Sequence, residues 1–233
     1  MMLGENAVLR LRGARVAVFG IGGVGGFAVE ALCRSGVGTL DLIDADRVSL
    51  SNINRQIIAT HKTLGEYKTE AMRSRIADID STTVVNTYNL FFDNNSVHLF
   101  DFSQYDYVVD AIDSVRSKVE LIAAAKAAGV PIICAMGAGN KLDPTAFRVA
   151  DISKTSVCPL ARAVRVELKK RGITSGVKTV FSTELPIKPE SSPEDAEKKS
   201  VRPTPGSISF VPSVVGLIMA GEVIKEIGGI SCK

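Results

Sequence analysis

Arg15-Val16-Ala17-Val18-Phe19-Gly20-Ile21-Gly22-Gly23-Val24-Gly25-Gly26 is the stretch that decides the fold. An apolar run ends in a burst of glycines, and Phe27 to Arg34 continues as apolar, helix-favouring sequence. The pattern predicts a buried strand, a tight turn and the start of a helix. Gly20, Gly22 and Gly25 spell G-x-G-x-x-G, with Gly23 inside the motif. Such a turn bends with positive φ and lets backbone N–H groups close on a phosphate at a helix N-terminus. The same glycines also suit a strand-to-helix turn with no ligand, so the motif does not decide the function alone.

Around this stretch, strand and helix patterns alternate. Residues 5 to 12 read as a short helix leading in, and Ser35-Gly36 stops the helix that follows the glycines. Thr39 to Ile43 is a second strand ending at Asp44-Ala45-Asp46. An acidic residue about 20 positions beyond a glycine fingerprint is placed to bind a ribose hydroxyl. Ser49-Leu50-Ser51-Asn52-Ile53-Asn54-Arg55-Gln56 is a polar cluster with little reason to be core, and Tyr67 to Ile79 is an amphipathic helix with Lys68 at its start. Thr83 to Phe92 and Asp106 to Ile112 read as the third and fourth strands, the latter ending at Asp113-Ser114. Arg116 to Ala128 is a helix stopped by Gly129, and Val130 to Ala135 is a fifth strand. The alternation predicts an α/β, Rossmann-like fold: a mostly parallel sheet with helices on both faces. Ligands in such sheets bind at the carboxyl ends of the strands, where Gly20 to Gly25, Asp44 and Asp113 all fall.

The second half differs. Phe147 to Ile152 and Val177 to Ser182 read as strands, with a helix from Pro159 to Arg171 capped by Gly172 between them. Residues 186 to 206 are rich in Pro, Ser and charge and read as a mobile crossing loop. Pro212 to Ile227 is a helix ending at Gly228. Its apolar residues, among them Val214, Val215, Leu217, Ile218, Met219, Val223 and Ile224, are too many for one stripe, which suits a core helix or a subunit interface. Residues 1–233 are read as one domain, with a nucleotide-binding core over 1–140 and a C-terminal substrate and dimer part over 141–233. Arg162, Arg165, Lys169, Lys170, Arg171 and Lys178 face a single acid, Glu167, in one short stretch. That run is a candidate surface for nucleic-acid phosphates, or else a solvated helix face.

Composition sets the bounds. The chain has 233 residues, 45% hydrophobic and 23% charged, enough for one large core, and its net charge of +3 is too small to demand a nucleic-acid partner. Cys33, Cys134, Cys158 and Cys232 form no C-x-x-C pair, so neither a zinc cage nor a disulfide framework is expected and a reduced, cytoplasmic setting is the natural reading. Cys158 sits before Pro159 at a helix start, where a thiolate would be favoured, but a small semi-buried role suits it better. His61 and His98 read as surface or structural residues. Met1 to Arg15 lacks the long apolar core of a signal peptide, and Ile208 to Gly221 is too short to span a bilayer.

With Asp44-Ala45-Asp46, Ser51 to Gln56, Lys68 and Asp113 in place, the sequence resembles the ubiquitin-activating-enzyme-like (ThiF/MoeB-like) adenylating enzymes. The resemblance implies ATP with its phosphates on Gly20 to Gly25, ribose on Asp44, phosphate contacts from Asn52, Arg55 and Lys68, and Mg²⁺ on Asp113. Asp46, Ser51, Asn54, Gln56 and Ser114 complete the expected nucleotide site, and Arg55, Lys68 and Asp113 are the expected catalytic set. The residue types suit the chemistry: a carboxylate attacking an α-phosphate builds negative charge that cations offset, and Mg²⁺ favours carboxylate oxygens. Within the superfamily the chain most resembles the branch of tRNA threonylcarbamoyladenosine dehydratases. Gly137-Ala138-Gly139, Asp143-Pro144-Thr145, Asp110 to Arg116 and Val180-Phe181-Ser182-Thr183-Glu184 carry that resemblance. It implies adenylation of the carboxylate on threonylcarbamoylated adenosine 37 of tRNA and ring closure with loss of AMP, in a homodimer. It also implies contact with a sulfur-acceptor or desulfurase system.

Two departures stand out. Relatives carry an upstream arginine that reaches into the partner subunit's ATP site; this sequence begins Met1-Met2-Leu3-Gly4, which leaves Arg10 or Arg12 as the nearest replacements. Some relatives have a cysteine shortly before the last helix, where this chain reads Gly206-Ser207-Ile208-Ser209. Three other functions stay open on the residues alone. An NAD-dependent dehydrogenase accounts for Gly20 to Gly25 and Asp44 but leaves Asn52, Arg55 and Lys68 idle. A nucleotide-sensing protein would need no turnover. An adenylyltransferase for a ubiquitin-like sulfur-carrier protein uses the same site on a different substrate.

Overall fold

Seven strands build one sheet: β1 (Arg15–Phe19), β2 (Thr39–Ile43), β3 (Val84–Tyr88), β4 (Tyr107–Asp110), β5 (Ile132–Ala135), β6 (Phe147–Asp151) and β7 (Lys178–Ser182). This is a computed structural model in which residues 2–187 and 205–230 are described, so most of the 186–206 stretch, with Lys188, Lys198, Lys199 and Arg202, lies outside the described residues, as does Cys232. The strand order is β3-β2-β1-β4-β5-β7-β6, parallel throughout except for the antiparallel β6–β7 pair at one edge. Helices α1 (Glu5–Gly13), α2 (Gly25–Arg34), α3 (Lys68–Ile79), α4 (Val115–Ala127), α5 (Pro159–Lys170) and α6 (Phe210–Gly228) cover both faces.

Alternation along the strands divides the core in two. Val16, Val18, Leu40 and Leu42 point to one face and are buried with Val29 and Leu32 of α2 and Val215 and Met219 of α6. Ala17 and Phe19 point to the other face, with Leu121 and Ile122 of α4 and Val164 and Leu168 of α5. Phe19 meets Phe92 edge-on with ring centroids 4.8 Å apart. On the first face α6 crosses α2 almost backbone to backbone: a Cβ on Gly216 would lie 2.2 Å from the Val24 carbonyl oxygen. Val215, Met219 and Val223 of α6 are thus core, Val214, Ile218 and Ile224 are half-buried, and Leu217 is exposed.

β6 and β7 are each one residue shorter than the sequence predicts, and three other strands fall further short, each for a local reason. β3 stops at Tyr88 because its partner β2 ends at Ile43, and the last rung is Asp44 N–H to Tyr88 O. β4 stops at Asp110 because the next turn folds back, with the Ile112 N–H donating to the Asp110 carboxylate. β5 starts at Ile132 because the Val130 N–H is spent on the Ala125 carbonyl at the end of α4.

The functional consequence lies at β1. Its neighbours are β2 on one side and β4 on the other, so the strand order reverses there. The helices that follow, α2 and α4, pack on opposite faces. The crevice opened at the carboxyl ends of β1 and β4 is where such sheets bind ligands.

Candidate active site

The glycine turn lies at that crevice. Gly20 has φ +89°, and a Cβ there would sit 2.8 Å from the Ala111 carbonyl oxygen, so only glycine lets the β1 turn touch the turn after β4. Gly25, the first residue of α2, is tighter still: its Cβ would fall 1.8 Å from the Gly20 oxygen. Gly20 and Gly25 therefore fold the motif onto itself, and Gly22 and Gly23 line the start of α2 with no side chain in the way. The N-terminus of α2 presents the positive end of the helix dipole to the crevice, which suits an anion.

Asp44 buttresses this turn. Its Oδ2 accepts the Ile21 N–H at 2.6 Å and its Oδ1 accepts the Asp46 N–H at 2.8 Å. Burial pushes the Asp44 carboxyl above its ordinary value, opposed by the charge of Lys68 and by the two backbone donors. Lys68, at the first turn of α3, is itself buried, with its ammonium 2.6 Å from Asp46 and 4.0 Å from Asp44. An isolated β-bridge between Arg47 and Tyr67, with the Arg47 guanidinium 3.7 Å from the Tyr67 ring centroid, ties the post-β2 loop to the start of α3 and so fixes Lys68 beside the aspartates. Asp44 and Lys68, assigned from the sequence to ribose and phosphate, thus lie side by side, and Asp44 holds the loop.

The polar cluster forms the facing wall. Asn52 is buried, its Oδ1 accepting the Ser49 N–H at 3.1 Å and closing the short 3-10 turn Leu50–Asn52. Ser51 contributes its carbonyl oxygen, which accepts from the Arg55 guanidinium at 2.8 Å. Arg55 also donates to Asn54 Oδ1 at 2.9 Å and has no carboxylate partner among the described residues, so its charge stays uncommitted. Gln56 is buried, and its Oε1 has no hydrogen-bond partner among the described residues. A buried, unsatisfied amide beside an open glycine cradle is what a nucleotide site without its nucleotide should contain. Glycine cradle, uncommitted Arg55 and orphaned Gln56 together fit a triphosphate.

On the β4 side, Ser114 rather than Asp113 caps α4, accepting the Ser117 N–H at 3.4 Å. Asp113 is exposed at the crevice, with no hydrogen bond among the described residues. Its carboxylate is of the type that would hold Mg²⁺. Among the described residues no group of three or more His, Cys, Asp or Glu could hold a metal.

The sequence missed the pair that shapes this turn. Asp110 and Lys118 are both fully buried and 2.8 Å apart. Burial pushes the Asp110 carboxyl up while Lys118 pulls it down. Burial also pushes the neighbouring Cys134 thiol well above its ordinary value, which keeps it protonated. The available signal was a carboxylate closing an all-apolar strand, which calls for a buried counter-charge.

The basic helix is less open than its sequence suggests. Arg165 is half-buried and donates to Thr155; Arg171 pairs with Glu120 and Lys170 with Glu167. Arg162 and Lys169 are exposed and have no ion-pair partner among the described residues. Arg162 lines a cleft of roughly 640 Å³ with Val115, Val157, Pro159 and Val166. Cys158, the α5 N-cap residue, is almost fully buried at its base. Arg10 and Arg12 are engaged away from the crevice, with the Gly228 carbonyl and with Asp80 and Thr82. His61 and His98 are exposed.

Comparison with known proteins agrees with this geometry. The ThiF family model matches residues 1–233. The chain belongs to the ThiF family. The tRNA threonylcarbamoyladenosine dehydratase of Bacillus subtilis (strain 168) is 41% identical over 233 residues, covering 97% of this chain and 92% of that protein. The crystal structure of the Escherichia coli dehydratase TcdA in complex with AMP is similar with a TM-score of 0.88 and 36% identity, over 98% of this chain and 91% of that one. The complex of the same enzyme with ATP gives a TM-score of 0.87 and 35% identity over the same shares. In this ThiF-family chain, no helix among the described residues is long and apolar enough to cross a membrane.

Proposed function

We propose that the chain is an ATP-dependent tRNA threonylcarbamoyladenosine dehydratase. The observation that carries the reading is the meeting, at the reversal of strand order, of the Gly20–Gly25 turn, Lys68, Arg55 and the Asp113 turn, in a chain matched nearly end to end by dehydratases. The carboxylate of the threonylcarbamoyl group attacks the α-phosphorus of ATP and pyrophosphate leaves. Ring closure on the acyl carbon then expels AMP, so the substrate loses one water in all. The chain's part is electrostatic and positional: the α2 N-terminus holds phosphate, Arg55 and Lys68 offset the charge that builds at phosphorus, and Asp44 keeps the turn in shape. Asp113 would hold Mg²⁺, which when bound neutralises phosphate charge.

Arg162 and Lys169 are the residues of the basic helix left for tRNA phosphates. We place the subunit interface of a homodimer on the exposed apolar residues of the C-terminal half, which include Leu142, Leu185, Phe210 and Leu217; light scattering that returns a monomer mass at micromolar concentration would count against it. A desulfurase-type partner and a cytoplasmic setting rest on the resemblance and composition, and co-purification and fractionation test them. The activity is tested by pyrophosphate release. Release with ATP-Mg²⁺ and threonylcarbamoylated tRNA is expected. Release driven only by a carrier protein with a C-terminal Gly-Gly would favour the sulfur-carrier reading, and thermal stabilisation by NAD alone would remove both.

A further inference from the structure

We infer that Asn140 is a positioning residue for Arg55, acting through Gly206 and Ser207; this rests on the adenylation reading above. Asn140 lies in the loop after β5 with φ +57°, a left-handed conformation that asparagine tolerates better than most side chains. In that conformation it is bonded three ways. Its N–H donates to the Gly206 carbonyl at 2.8 Å, its Oδ1 accepts the Gly206 N–H at 2.7 Å, and its own carbonyl accepts the Ile187 N–H at 2.8 Å. Two passes of the chain, at Ile187 and at Gly206, are fastened to one residue. Gly139 presses on the second pass, since a Cβ there would lie 2.8 Å from Pro205.

The fastening reaches the phosphate side of the crevice in two steps. The Ser207 carbonyl accepts from Asn54 Nδ2 at 3.0 Å, and Asn54 Oδ1 accepts from Arg55 at 2.9 Å. Asn54 is exposed, so without Ser207 its amide would be free to rotate and Arg55 would lose one of its two acceptors. Both acceptors are neutral, so they aim the guanidinium without cancelling its charge. A cation that acts on charge developing at phosphorus works only when held in place beforehand. A role confined to ending β5 would explain the backbone conformation of Asn140 but not the bond from its side chain to Gly206.

The test separates backbone from side chain. Asn140→Gly keeps the left-handed turn and both backbone bonds and loses only the Oδ1 acceptor; Asn140→Asp keeps that acceptor. Hydrogen exchange at Asn54 and Arg55 and steady-state pyrophosphate release with ATP and threonylcarbamoylated tRNA are measured on the full chain. Asn140→Gly is expected to speed exchange at Asn54–Arg55 and to lower kcat roughly tenfold with the KM for ATP little changed. Asn140→Asp should recover most of the rate. Asn54→Ala should lower kcat as Asn140→Gly does, and the double variant should fall no further, because both cut one connection. Unchanged exchange in Asn140→Gly, or losses that add in the double variant, overturns the link. A parent protein that exchanges as described but releases no pyrophosphate overturns the adenylation reading instead, and the catalytic half of this inference with it.

Discussion

Lys68 and Arg55 are two cations in one crevice held in opposite ways. Lys68 is buried against Asp46, while Arg55 rests on neutral oxygens. Both Arg55→Ala and Lys68→Ala should fold and lose activity, each raising the barrier by about 3 kcal/mol, the typical loss of one group that stabilises developing charge. Near-parental turnover in both would remove them from the chemistry. Lys118 differs, because it faces no ligand. Lys118→Met leaves Asp110 buried without its counter-charge and should cost about 3–5 kcal/mol of stability in denaturant unfolding. A midpoint unmoved by that substitution would mean that the pair does not hold the turn. The glycine turn and Asp44 could be read from the sequence because their signal is local: a buried run, then glycines, then a carboxylate after the next strand. Asp110–Lys118 could not, because the pair exists only once α4 lies on β4. Asn140 could not, because its side-chain partner is 66 residues away.

Among the elements, the strands were legible in kind and order of occurrence; β2 was legible to its ends, the later strands were not. The sequence carries β3 on to Phe92, but a parallel strand lasts only as long as its neighbour, and β2 ends at Ile43. The basic helix was legible as charge but not as available charge, since three of its cations are taken by Thr155, Glu120 and Glu167. Arg162→Glu with Lys169→Glu should therefore raise the KM for tRNA, and the parent's tRNA affinity should fall steeply with salt through counterion release. If parent and variant bind tRNA equally at two salt concentrations, the tRNA surface lies elsewhere. The join between α1 and the turn after α3 carries its own pH signature. Asp80 is drawn down to about 2, first by the Thr82 hydroxyl and N–H and then by Arg12. A carboxylate depressed in the fold adds stability that is fully present above its unfolded pKa of about 4 and is lost as pH falls towards 2. Parent and Asp80→Asn should therefore differ in Tm at pH 6 and converge by pH 2; a difference that persists at pH 2 would assign the effect to packing.

At the scale of the molecule, one reversal of strand order brings together groups from five separate stretches of sequence: the glycine turn, the Asp44–Asp46 loop, the Ser51–Gln56 cluster, Lys68 at the start of α3, and the Asp110–Asp113 turn. Each alone has an ordinary structural explanation; together they leave a glycine cradle, an uncommitted arginine and an unsatisfied buried amide at one crevice. ATP fits that inventory, and the full-length likeness to dehydratases selects the acceptor. The direct measurement is mass spectrometry of nucleosides from threonylcarbamoylated tRNA after incubation with the protein, ATP and Mg²⁺. The account predicts that threonylcarbamoyladenosine is converted to a species lighter by one water, with one AMP formed per conversion and none formed when ATP is omitted. An unchanged nucleoside mass with the folded protein in the presence of ATP-Mg²⁺ would contradict it.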